Sequence, residues 1–464
     1  MLRLALAAVL PTFATSISAQ SNDLQEKVKE VFLQKLTQQK KAATKGAADF
    51  IKGISTDTEL RQDIKVKQIA NYQKMVWEAW RDANRDFKEE KLATPQDLSA
   101  NKQNSLSLPA ALEPNATMPY YFGNKKDAKS PAPLFFYLHG SGPKAQEWEV
   151  SWKWAQIFDD APCLYFIPQI PNEGNYYRWW QLSKQYAWED VIRQALANGT
   201  ADANRLYVFG ISEGGYGSQR LASFYADYWA AAGPMAGGEP LKNAPAENCA
   251  NIGFSFLTGA DDMGFYRNVL TWYTQSTFDS LQMAHPLSAD KQPLFRHRIN
   301  LLPGKQHHID YRLTTPWLKQ FTRNPYPKTV LWEDFEMDGR HRSGFYNLQV
   351  MKRPSDNRTF YEMNINDNHV DLRISDVAYT TTQKDPQWGI EMKFKRAYTQ
   401  ATGGKIRIYL CEQLVDMGKP ASISINGKKV FSGKVKANLQ SMVSSCTEYF
   451  DPFRVYPAYV ELEY

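Results

Sequence analysis

The chain has 464 residues, 43% hydrophobic and 13% aromatic, with a net charge of +6 spread along its length. That size accommodates two or three domains with large cores, and the apolar content excludes an intrinsically disordered chain. The mild basic excess comes with no Lys/Arg patch set in a nucleic-acid motif, so no nucleic-acid partner is expected.

The N-terminus reads as a secretory signal over residues 1–19. Met1-Leu-Arg3 is a short basic start, and Leu4 to Ile17 is an apolar segment too short to span a bilayer. Ser16-Ile-Ser-Ala-Gln20 offers a small-residue cleavage site after Ala19. The expected location is therefore outside the cytoplasm, secreted or periplasmic. No later stretch approaches the apolar length of a membrane span, so no stable membrane insertion is expected.

Residues 22 to about 92 carry helical periodicity. Leu24, Val28, Val31, Phe32 and Leu36 share one face, as do Ile69, Tyr72, Val76 and Trp80. A helical extension over 20–104 is expected, with no chemistry of its own.

Residues 105–328 change in texture. Short apolar runs at Leu134–Leu138, Leu164–Ile167, Leu206–Phe209, Ala230–Pro234, Phe254–Leu257 and Ile299–Leu302 read as strands. Helical segments separate most of them, including Ala187–Ala197 and Arg267–Met283. Apolar strands alternating with helices predict an α/β domain with a mostly parallel sheet covered on both faces. The pattern breaks at Asn324-Pro-Tyr-Pro327. Residues 329–464 then become β-rich, with runs at Phe345–Val350, His369–Ile374, Trp388–Phe394, Lys405–Leu410 and Ala421–Ile425. Asn426-Gly427 before Lys429-Val-Phe431 is a hairpin signal, and a C-terminal β-sandwich is expected.

Four cysteines, Cys163, Cys249, Cys411 and Cys446, could form two bridges in an oxidising compartment. Pairing 163 with 249 and 411 with 446 is the simplest arrangement, although Cys163 opens a buried strand and also suits a plain core thiol. No Cys/His cluster suggests a metal, and no cofactor is expected.

The chemistry is concentrated in Leu206-Tyr-Val-Phe-Gly-Ile-Ser-Glu-Gly-Gly-Tyr-Gly217. A strand ends at Gly210, Ser212 sits between Gly210 and Gly214, and a helix-compatible stretch follows. This G-x-S-x-G corner lifts a serine hydroxyl clear of the sheet. A serine needs an imidazole to take its proton, and the imidazole needs a carboxylate to fix its tautomer. Downstream, one strand runs into Thr258-Gly-Ala-Asp-Asp262 and another into Pro303-Gly-Lys-Gln-His-His308. Spacing from the glycine favours Asp262 over Asp261 and His307 over His308, and both doublets stay open. The negative charge of a tetrahedral intermediate needs preorganised N–H donors. Those expected are the backbone of Glu213 and, in His139-Gly-Ser-Gly142 after an upstream strand, Ser141 or Gly140.

These stretches, together with Asp227-Tyr-Trp-Ala-Ala-Ala-Gly-Pro234, resemble the α/β-hydrolase superfamily over about 105–320. Within it the region is similar to secreted esterases of the feruloyl esterase and polyhydroxybutyrate depolymerase type. The resemblance implies an α/β-hydrolase fold with Ser212 as nucleophile, Asp262 as acid and His307 as base. The doubled Asp-Asp and His-His, and Glu213 in place of a small or apolar residue, depart from the family pattern.

The loop Pro168-Gln-Ile-Pro-Asn-Glu-Gly-Asn-Tyr-Tyr-Arg-Trp-Trp180 is rich in rings. Tyr176, Tyr177, Trp179 and Trp180 are candidates for a stacking wall, Arg178 for a carboxylate contact and Glu239 for a substrate contact. The expected activity is hydrolysis of carboxylic esters, acyl or feruloyl, on plant polysaccharide or oligosaccharide. A prolyl-oligopeptidase-like serine peptidase shares the triad order, but no propeller repeat precedes the catalytic region. The expected partner is a small-molecule or polysaccharide ester, and the oligomeric state is open.

Overall fold

The computed structural model describes residues 12–46 and 60–464, with side chains from residue 22. Residues 1–11 of the expected leader, and 47–59 of the expected helical extension, lie outside the described residues. Two long helices come first, α1 (Thr12–Thr44) and α2 (Ile69–Asp86). They meet through Phe32 and Trp80, whose rings lie edge to face with centroids 4.9 Å apart.

A nine-stranded sheet follows: β1 (Gln96–Asp97), β2 (Gln103–Ser107), β3 (Thr117–Lys125), β4 (Ala132–Leu138), β5 (Cys163–Pro168), β6 (Ala201–Ile211), β7 (Ala231–Met235), β8 (Gly253–Gly259) and β9 (His297–Leu302). Its order is β1-β3-β5-β4-β6-β7-β8-β9, with β2 antiparallel beside β3. From β5 to β9 all neighbours are parallel, and β3 runs antiparallel to β5. This is the mostly parallel sheet that the alternation of apolar strands and helices predicts.

The strands are apolar on both sides because both faces are covered. Phe135, Tyr165, Tyr207 and Phe209 face α3 (Lys144–Ile157), whose Trp148 and Ala155 join the same cluster. Leu134, Phe136, Phe166 and Val208 face the other way, toward α4 (Leu182–Ala197) and α5 (Glu213–Phe224). The helix after β8, α6 (Arg267–Ala284), adds Phe278 to that second face, and the short α7 (Thr314–Leu318) returns to the first.

The cysteines follow from this layering. Cys163 packs in the cluster on one face of the sheet, and Cys249, Cys411 and Cys446 in the cluster on the other. All four are buried free thiols, so the simple pairing suggested by the sequence does not form.

From Thr329 the chain builds two more sheets. One holds β10 (Thr329–Asp334), β13 (Arg358–Asn366), β14 (His369–Lys384), β15 (Glu391–Gln400), β17 (Ala421–Ile425) and β18 (Lys428–Gly433). The other holds β11 (Gly344–Phe345), β12 (Leu348–Lys352), β16 (Lys405–Leu410) and β19 (Ala458–Glu463). Trp332 joins them, stacked on Phe345 at 5.3 Å and on Tyr361 at 4.9 Å. Asn426 and Gly427 turn the β17–β18 hairpin with φ of 50° and 78°, the left-handed pair that such a turn requires. Helix α8 (Leu439–Tyr449) pins the smaller sheet, and the Tyr228 hydroxyl donates to its Tyr449 carbonyl at 3.0 Å. One continuous apolar cluster runs from α1 through the large sheet into both C-terminal sheets.

Candidate active site

Parallel strands send their C-terminal loops to the same sheet edge. Leu138 pairs with Gly210 and Gly210 with Pro234, so the loop at 139–142 lies beside the corner at Ser212. Gly259 pairs with Leu302, so the loops carrying Asp262 and His307 are neighbours.

Ser212 sits between β6 and α5 with φ 56° and ψ −113°, a left-handed conformation costly for serine. Its N–H donates to the Met235 carbonyl at 3.0 Å, which holds the corner closed. The flanking glycines permit it: a Cβ on Gly210 would collide with the Gly214 carbonyl, and one on Gly214 with that of Leu138.

His307 Nε2 lies 3.0 Å from Ser212 Oγ, and its Nδ1 lies 2.7 Å from Asp262 Oδ2. A carboxylate can only accept, so Nδ1 carries the proton and Nε2 is left with the lone pair that faces the hydroxyl. Asp262 is buried, and burial alone would raise its carboxyl. The bonds from His307 and Arg267 outweigh that and hold it below its ordinary value. Arg267, at the start of α6, donates to the other oxygen, Asp262 Oδ1, at 2.9 Å. Arg267 is not among the residues that the sequence points to; its place five residues after Asp262, at the start of a helical stretch, was the available signal. Asp261 and His308 are both exposed, outside this contact chain.

The loop His139–Gly142 is held from beneath. His139 is fully buried and pushed down to about 4, by burial first, with its bond to Gly140 working the other way. It is therefore neutral, and its tautomer is fixed. Nε2 accepts from the Ile170 N–H at 3.0 Å, and Nδ1–H donates to the Gly140 carbonyl at 2.7 Å. The Tyr177 hydroxyl donates to the same carbonyl at 2.6 Å. A trans peptide points its C=O and the next N–H in opposite directions, so this anchoring turns the Ser141 N–H away from the buried side. The N–H groups of Gly140 and Ser141 meet no acceptor among the described residues. Glu213 opens α5, where the first N–H groups have no partner within the helix.

The ring-rich loop differs from its expected role. Tyr177 and Trp179 are turned inward, 6% and 0% exposed, and Trp179 Nε1 donates to the His139 carbonyl at 3.1 Å. They brace the loop at 139–142 and present no wall to solvent. Glu239 is also buried, paired with Arg220 at 2.9 Å and accepting from Asn243 at 2.9 Å. Tyr176 and Arg178 remain exposed, and Trp180 is half-buried with the Arg220 guanidinium 3.9 Å from its ring centre.

Glu213 stands apart among these carboxylates. Its Oε1 is 3.4 Å from Arg178 and makes no hydrogen bond among the described residues. Burial raises its carboxyl from 4.5 to about 7, with Arg178 and Arg220 opposing and Glu239 assisting. The folded chain thus holds this proton more tightly than the unfolded chain. Stability is undiminished below pH 4.5, falls as pH rises toward 7, and stays reduced above it. Glu213→Gln keeps the shape without the titration. It is expected to match the parent in urea unfolding at pH 4.5 and to exceed it by roughly 3 kcal/mol at pH 8.5. Equal stabilities at both pH values would contradict this reading of Glu213.

No family model matches the chain. A stretch of 129 residues is 28% identical to poly(3-hydroxyalkanoate) depolymerase C of Paucimonas lemoignei, covering 26% of this chain and 31% of that protein. The chain thus spans under a third of the length of that relative. Solved structures similar to it include a thermostable esterase (20% identity, TM-score 0.37, 48% of this chain and 63% of that one). A ferulic acid esterase from Anaeromyces mucronatus is 12% identical, with TM-score 0.36, over 51% of this chain and 93% of that one. A poly(3-hydroxybutyrate) depolymerase from Bordetella parapertussis is 15% identical, with TM-score 0.33, over 46% and 86%.

Proposed function

We propose that this chain is a serine hydrolase of carboxylic esters, with Ser212 as nucleophile, His307 as general base and Asp262 as its orienting carboxylate. The observation that carries the proposal is the unbroken contact chain from Asp262 through His307 to the Ser212 hydroxyl, at 2.7 and 3.0 Å. As Ser212 Oγ attacks the ester carbonyl, His307 Nε2 takes its proton, and Asp262 stabilises the imidazolium that results. The carbonyl oxygen becomes an anion and is met by the N–H groups of Glu213 and of Ser141 or Gly140. Collapse expels the alcohol, which takes the proton from His307 and leaves an acyl-serine. A water then repeats the sequence, with His307 as its base, and frees the acid and Ser212.

The substrate reading is an acyl or feruloyl-type ester on plant polysaccharide or oligosaccharide. Exposed Tyr176 and Arg178 and half-buried Trp180 support it, as rim groups suited to a ring and an acidic substituent. The leader over 1–19 supports secretion, which suits an extracellular polymer. We take the boundary near 328 as a change of sheet, with the tail packed as part of one body. The test compares p-nitrophenyl acetate and methyl ferulate with aminoacyl-nitroanilides on purified protein. Ester cleavage is expected, and activity confined to the anilides would replace the esterase reading with the peptidase one.

A further inference from the structure

The long β14–β15 hairpin reaches from the C-terminal sheets to the loop that carries Asp262. At its tip Trp388 is 51% exposed, with its N–H held by the Asp385 carboxylate and the next residue, Gly389, at φ 69°. The Trp388 ring meets Phe265, which is 41% exposed, with centroids 4.6 Å apart and planes inclined at 54°. Phe265 and Tyr266 are consecutive left-handed residues, φ 52° and 58°, a costly conformation for aromatic side chains. The Tyr266 hydroxyl holds it by donating to Asp385 Oδ1 at 2.7 Å, and Lys242 secures the hairpin's flank through Glu391 at 2.7 Å. The Arg267 guanidinium lies 5.2 Å from the Phe265 ring and donates to Asp262. Contacts therefore run without a break from Trp388 to the triad carboxylate.

A staple that only fastened the hairpin would bury its rings. These two keep about half their surface toward water, next to Met263 at 74% exposed, and strained backbone holds one of them there. Exposed Asp261 and Gln387 lie close by along the two chain segments and supply an acceptor and an amide. Tilted apolar rings bordered by hydrogen-bonding groups suit a pyranose, which has a C–H face and a rim of hydroxyls. We propose that Phe265 and Trp388 form a sugar-binding platform at the rim of the catalytic site, built jointly by the loop after β8 and the β14–β15 hairpin. It would hold a ring of the part of the substrate that is not cleaved. The proposal rests on the ester-hydrolase reading for its role in catalysis, but sugar binding itself can be measured without turnover.

The experiment titrates xylohexaose calorimetrically into the full chain, its Trp388→Ala and Phe265→Ala variants and the conservative Trp388→Phe, and measures p-nitrophenyl acetate hydrolysis on each. The parent is expected to bind xylohexaose, both alanine variants to bind it about tenfold more weakly, and Trp388→Phe to regain most of the loss. The small ester, which does not reach the platform, should be cleaved within about twofold of the parent rate by both Trp388 variants. Undetectable binding by the parent, or unchanged affinity in Trp388→Ala, would overturn the proposal. So would a parallel fall in p-nitrophenyl acetate hydrolysis, which would make Trp388 a prop for Asp262. A parent that binds xylohexaose but cleaves no ester would leave the platform standing and remove the hydrolase reading.

Discussion

Ser212→Ala is expected to lower kcat on p-nitrophenyl acetate by roughly 10⁴- to 10⁶-fold with little change in KM or in thermal stability. The hydroxyl forms the bond that defines the reaction, and among the described residues its one side-chain partner is His307 at 3.0 Å. His307→Ala is expected to cost a similar factor, because an unactivated hydroxyl is nearly as poor a nucleophile as none. The double variant should be no worse than either single one, since the two side chains act in one step. Asp262→Asn is expected to cost roughly 10⁴-fold, because an amide can donate to Nδ1 and favour the wrong tautomer. Equal rates for the parent and Ser212→Ala would exclude Ser212 as the nucleophile. A double variant markedly slower than both single ones would exclude a shared step.

Asp227→Ala is expected to destabilise the whole chain by roughly 3–5 kcal/mol, measured as the shift in urea unfolding. Asp227 is fully buried and accepts two bonds from Arg342, at 3.1 and 3.0 Å, and one from Arg454 at 2.5 Å. Arg454 also donates to Asp451 at 2.8 Å, and Arg323 pairs with Asp451 at 2.6 Å. Three guanidinium groups and two carboxylates are thus closed off from water, with the Tyr228 ring 4.2 Å from Arg454. Removing Asp227 leaves Arg342 without its carboxylate and Asp451 alone against the other two guanidinium groups. A loss of that size is a large share of the 5–15 kcal/mol that usually separates folded from unfolded chains. The network joins the large sheet to the tail, so a chain ending at residue 328 would lose Arg342, Asp451 and Arg454 together. It would also expose the apolar cluster that both parts share. Such a truncation is expected to be insoluble. A soluble, fully active one would make the tail a dispensable appendage.

The contrast between these two networks explains what could be read from the sequence. Ser212, Asp262 and His307 each follow an apolar strand and a glycine, and parallel strands must deliver such loops to one edge. Order along the chain was therefore enough to gather them. The doublets turn on which neighbour faces inward: Asp262 and His307 do, and Asp261 and His308 are exposed. The loop at 168–180 has no periodicity, so its rings were legible and their directions were not. Tyr177 and Trp179 turned out to brace the backbone at 139–142. The sequence reading put Trp388 in a strand, but Asp385-Pro-Gln-Trp-Gly389 is a turn, and β14 runs on to Lys384 before it. Arg454 and Asp227 are 227 residues apart, and no local pattern links them.

Acylation of Ser212 is tested most directly by mass spectrometry of the protein treated with a fluorophosphonate, which captures an activated serine as a stable phosphonyl adduct. One equivalent is expected on the peptide containing Ser212, and His307→Ala should abolish the labelling. No adduct on the folded parent, or an adduct at another residue that persists in Ser212→Ala, would contradict the account.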